Sequence, residues 1–142
     1  MNAETNLLSA IYQNADMGCS SIEKIIPKIA DNELRSEVTS QLRRYRRSYN
    51  RVCSELHAER TEPKKLNPFT KAMSDIGLAV SCAADSSTSN IAKMLIQGTN
   101  MGIIRLNKSL NAADDVSESA RNEAVDMLKA EQAYIDKLKP YL

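Results

Sequence analysis

The strongest constraint on this chain is the spacing of its apolar residues, which keeps to steps of three and four. Leu34, Val38, Leu42, Tyr45, Tyr49, Val52 and Leu56 form one such series, and Leu8, Ile11, Tyr12, Ala15, Cys19, Ile22, Ile25, Ile26 and Ile29 form another. At about 100° per residue these positions share one side of a helix, so each segment buries a single stripe. The spacing predicts helices over residues 4–29 and 32–59, joined as a tight antiparallel hairpin. Asp31 and Asn32 supply cap oxygens for the second helix, and Pro27 bends the last turn of the first.

From Pro68 to Asn111 no proline intervenes, and one helix through that stretch would run about 66 Å, far beyond its neighbours. The polar run Asp85, Ser86, Ser87, Thr88, Ser89, Asn90 provides the break. It predicts a short helix over 68–84, begun by Asn67 and Pro68, and a long one over 87–111. A final helix over 117–139 opens with Asp115 three residues before Glu118, a capping-box arrangement, and turns Ala120, Ala124, Leu128, Ile135, Leu138 and Leu142 inward. The expected fold is all-α, with four long helices and a short crossover helix between the second and third, in one domain spanning residues 1–142.

Composition narrows the function. The chain has 19 basic and 18 acidic residues, a net charge of +1, which argues against a nucleic-acid or membrane-surface role. Four glycines are too few for a phosphate-cradling loop followed by turns. No apolar run approaches the roughly 18 residues of a membrane span, and Glu4 stands where a secretory leader wants Lys or Arg, so a cytoplasmic protein is expected. Cys19, Cys53 and Cys82 follow no metal or redox spacing and read as reduced, mostly buried side chains. His57, four residues after Cys53, lies off the apolar stripe and reads as exposed. Ser21 to Lys24 matches a serine acyl-enzyme motif whose companion motifs are missing, and it lies in a helix.

Two antiparallel helices, a crossover and two more antiparallel helices resemble the ferritin-like bundles. In those, a Glu from each of two helices and a Glu-x-x-His from each of the other two hold two metals. Glu131-Gln132-Ala133-Tyr134 resembles the last-helix motif with its histidine replaced by tyrosine. The stretch Met94-Leu95-Ile96-Gln97-Gly98-Thr99-Asn100-Met101-Gly102-Ile103-Ile104 is similar to small bacterial proteins of this type. The resemblance implies a ferritin-like up-down four-helix bundle with degenerate metal ligands. The inward faces expected at mid-height are Ala15, Gly18, Cys19 and Ile22 in the first helix, Leu42, Tyr45 and Tyr49 in the second, and Met94, Gly98, Met101 and Gly102 in the long one after the crossover; none is a carboxylate. A di-metal centre needs about six ligands, and Glu131 is a single candidate, so no metal, cofactor or catalysis is expected.

Four constellations remain. Gly98 and Gly102, one turn apart, each cost roughly 1 kcal/mol in a helix interior and are expected to admit close packing, against the first helix near Gly18 or against a second subunit. Ala92, Ile96, Ile103 and Leu110 make a second stripe on that helix, to be covered by the crossover helix or by a partner; a homodimer is expected, with another protein partner left open. Arg43, Arg44, Arg47 and Arg51 cluster about 165° from the apolar seam of their helix, solvent-facing, with only Glu55 placed to relieve Arg51. Glu131 falls within the stripe of Ala124, Leu128, Ile135 and Leu138, where a carboxyl must find donors or take up a proton, unless that helix is rotated and leaves it exposed. Tyr45, Tyr49 and Tyr12 are the donors the core offers. The leading reading is a non-catalytic bundle acting as an oligomeric binding or structural module. A di-metal carboxylate oxidase or metal-binding protein, and an anion or nucleic-acid contact through the arginines, are the alternatives.

Overall fold

The computed structural model describes residues 2–62 and 85–142, and every regular element among them is helical. Four long helices run over Ala3–Ile25 (α1), Asn32–Ala58 (α2), Thr88–Asn111 (α3) and Glu118–Leu138 (α4). Short 3-10 turns, Ile26–Lys28 and Lys139–Tyr141, extend α1 and α4, each with a proline in its first two positions. Pro27 thus ends the α-hydrogen-bonding of the first helix at Ile25, four residues sooner than the periodicity suggests, because its ring nitrogen has no proton to donate. The expected crossover helix over 68–84, its Asn67–Pro68 start and Cys82 lie outside the described residues.

Each long helix starts at a side-chain cap. Asn2 accepts from Thr5 N at 2.7 Å, Asp31 from Leu34 N at 2.8 Å, Ser87 from Asn90 N at 3.2 Å and Ser117 from Ala120 N at 3.1 Å. Each cap satisfies one of the amides that a helix N-terminus leaves without an internal partner. The break expected in the polar run is present, with residues 85–87 non-helical. The last helix corrects the sequence reading: Asp115 is not its cap but sits in the left-handed region at φ 58°, turning the chain so that Ser117 takes the cap position. The Ser117 amide in turn donates to Glu4 Oε1 at 2.6 Å, tying the starts of α1 and α4 together.

Cross-helix pairs fix the directions. Glu4 meets Ser117 and Asn14 meets Glu131, so α1 and α4 run the same way. Tyr45 meets Glu131 and Arg51 approaches Glu123, so α2 opposes α4. Leu8, Ile11, Ile22, Ile25, Leu34, Val38, Leu56, Ile91, Leu95, Leu106 and Leu138 fill the interior. Each aliphatic side chain so buried is worth roughly 1.5–3 kcal/mol.

Inward expectations fail at Leu142, Met101, Leu128 and Gly98, the last of which is exposed on α3. Leu142 is exposed, and Met101 is 60% exposed on the outer side of α3. Met127 and Tyr134 face inward on α4 beside the expected set, and Leu128 is only half-buried. The apolar arc of α4 is therefore wider than the Ala124, Leu128, Ile135 seam implied, and one side of it is polar. Replacing Asp31 by Ala should lower the unfolding free energy by about 0.5–2 kcal/mol through loss of the cap, measured by urea denaturation, with Asp31→Ser recovering most of it.

Candidate functional site

Among the described residues the one carboxylate that is fully buried is Glu131, 1% exposed, on the inward face of α4. Its Oε1 accepts from the Tyr45 hydroxyl of α2 at 2.6 Å and from Asn14 Nδ2 of α1 at 2.8 Å. The Asn14 amide also reaches Met127 Sδ at 3.4 Å. Its Oε2 is buried and has no hydrogen-bond partner among the described residues, and the same holds for the hydroxyl of Tyr134, one turn further along α4. Burial holds the Glu131 carboxyl above its ordinary pKa, opposed by the bonds from Tyr45 and Asn14. Burial also raises Tyr45, with the charge of Glu131 next, and raises Tyr134, where Glu37 and Glu131 add to it.

The glycines explain how the two donors reach the carboxyl. A Cβ at Gly18 would collide with the Tyr45 ring, and one at Gly102 would collide with the Asn14 side-chain oxygen. Both are notches cut for the groups that hold Glu131, one in α1 for a ring from α2, the other in α3 for an amide from α1. Gly98 differs. Nothing lies within 4 Å of the Cβ position there, so it has no close-packing role within the described residues.

Gly98 instead borders a cavity of about 380 Å³ between α1 and α3. Met17, Met94, Met101 and Leu95 give it apolar walls, Asn14, Tyr45 and Tyr134 stand on its inner side, and Arg105 reaches it from the exposed side of α3. Tyr134, whose hydroxyl is buried and has no hydrogen-bond partner among the described residues, is thus one of the lining residues.

The remaining expected site residues are placed elsewhere. Tyr12 and Tyr49 do not bond Glu131; their rings pack together with centroids 5.0 Å apart and planes tilted by 33°. Arg43, Arg44, Arg47 and Arg51 are exposed on α2. Arg51 lies 3.9 Å from Glu123 of α4, a partner across the bundle that the α2 sequence alone did not reveal, while Arg46 pairs with Glu23 of α1 at 3.0 Å. Cys19 and Cys53 are free and half-buried, and burial raises both thiols.

Sequence reasoning missed Asn14 and Glu123. Asn14 stands one turn before Gly18, and a polar residue beside a helical glycine was the available signal. The Glu123 carboxyl is pushed up to about 7 by burial, by a hydrogen bond with Glu55 and by that group's charge, with Arg51 opposing. No family model matches this chain, and no curated protein or solved structure stands out as a relative.

Gly98→Ala should raise the unfolding free energy by about 0.5–1 kcal/mol, since it only gains helix propensity. Gly18→Ala should lower it by about 1–3 kcal/mol by forcing the Tyr45 ring aside, and Gly102→Ala by about 1 kcal/mol by displacing Asn14 from its bond, all read from urea denaturation. The folded Glu131 carboxyl keeps its proton to higher pH than the unfolded chain does. Its contribution is therefore complete below the ordinary glutamate range and is lost as pH rises through the folded value. Between pH 5 and 8 the stability of Glu131→Gln should gain on that of the parent by more than about 1 kcal/mol, and Glu123 cancels because both proteins carry it.

Proposed function

We propose that the chain is a non-catalytic, ferritin-like helical bundle whose task is binding: it takes a small, largely apolar organic molecule into the cavity between α1 and α3. The observation that carries this reading is a cavity of about 380 Å³ whose lining includes Tyr134, a residue 3% exposed whose hydroxyl has no hydrogen-bond partner among the described residues. A buried hydroxyl without a partner is costly in a folded protein, and a polar group that a ligand can satisfy is what orients a molecule in an otherwise apolar pocket. The likeness to ferritin-like bundles is supported by the four long helices and by a glutamate projecting into their centre.

The metal-binding alternative asks for a different donor set. Around Glu131 stand a phenol, a carboxamide and a thioether, and among the described residues no three His, Cys, Asp or Glu side chains come together in a metal-binding group. These groups do not fit a pair of hard cations, which are held by several charged oxygens. No described helix is long and apolar enough to cross a membrane. Self-association belongs to the same proposal, through Ile104, 51% exposed on α3 and outside the cavity lining.

Anilinonaphthalene sulfonate, an aromatic anion that brightens in apolar sites, tests the reading. The native protein should bind it saturably, and Gly98→Phe, which fills the cavity from a position where a side chain meets nothing, should weaken binding at least about tenfold while unfolding stays cooperative. Undiminished binding by Gly98→Phe would sink the proposal.

A further inference from the structure

The lining of the cavity is uneven in a way that specifies an occupant. Three methionines, Met17, Met94 and Met101, border it, and flexible thioethers pack well against the faces and edges of flat aromatic rings. At the exposed side stands Arg105, which makes no ion pair among the described residues, and none of the described lining residues is a carboxylate. Tyr134 belongs to the inner side of the lining, and its buried hydroxyl has no partner among the described residues. One wall is therefore positive, the middle apolar and polarisable, and the far side asks for a single hydrogen bond.

We propose that the molecule held here is a flat aromatic acid with a hydroxyl or carbonyl at the end opposite its carboxylate: the carboxylate accepts from the Arg105 guanidinium, the ring lies among the methionines, and the far oxygen pairs with Tyr134. The inference rests on the cavity being a ligand site and adds the chemistry of the ligand. At about 30 Å³ for each water-sized group, the cavity encloses on the order of a dozen non-hydrogen atoms, the size of a ring with two substituents, and a larger molecule such as the dye projects past exposed Arg105 into solvent. The arginine fork suits a carboxylate, and the exposed position keeps the cost of desolvating that charge small. Tyr134 can donate or accept, so a phenol or a ketone both satisfy it.

The test displaces bound anilinonaphthalene sulfonate with three related compounds: para-coumarate, cinnamate, which lacks the far hydroxyl, and methyl para-coumarate, which lacks the negative charge. Para-coumarate should compete at about tenfold lower concentration than either relative. Arg105→Gln should erase its advantage over the methyl ester, and Tyr134→Phe its advantage over cinnamate. Both variants should unfold as cooperatively as the parent, because Arg105 is exposed and Tyr134→Phe removes a hydroxyl that bonds nothing in the described structure. Equal competition by the three compounds, or no competition by any while Gly98→Phe still abolishes dye binding, overturns the proposed chemistry and leaves the cavity as a binding site. Dye binding that ignores Gly98→Phe overturns the cavity reading itself.

Discussion

A single carboxyl oxygen, Glu131 Oε1, receives a phenol from α2 and an amide from α1 in the middle of an apolar bundle. Much of the interior is arranged around that meeting. A buried carboxyl without donors is strongly unfavourable, whereas one that is satisfied restricts how its neighbours can slide. Moving α4 by one turn, about 5.4 Å, would carry Glu131 away from both donors while its aliphatic neighbours found substitutes readily. Apolar packing supplies the larger energy; the carboxyl selects one register among several that such packing would accept.

The two notches serve the same purpose from the other side. Tyr45 can lie flat enough to reach Glu131 because Gly18 has no side chain, and Asn14 can turn toward it because Gly102 has none. All four helices therefore contribute to one contact: α1 through Asn14 and Gly18, α2 through Tyr45, α3 through Gly102, α4 through Glu131. Among the described residues the carboxyl carries two bonds on one oxygen and none on the other.

Periodicity made the helices legible because a single buried face leaves a repeat near 3.6 that survives in any sequence. The caps were legible where the cap residue stands alone before the stripe, as at Asp31, and misread at Asp115, where two oxygen-bearing residues compete and a left-handed backbone decides for Ser117. The burial of Glu131 could be read from its place among Ala124 and Ile135, yet the choice of Tyr45 over Tyr49 depends on the angle between α2 and α4, which spacing along one helix does not encode. Arg51 shows the same limit: its exposure follows from α2 alone, its approach to Glu123 only from the packed pair.

Gly98 has a consequence of another kind. Gly18 and Gly102 are kept small by the groups that press on them, but at Gly98 the interior imposes no such demand, and the helix is weaker for having glycine there. Stability and empty volume are opposed at that one position: whatever side chain strengthens α3 also consumes space beside Met94 and Met101. Selection for robustness alone would drift toward alanine or something larger. A lineage that keeps the glycine is holding open a volume at the expense of its own helix, and the size of the side chain found there in related chains would report how far each of them fills that volume.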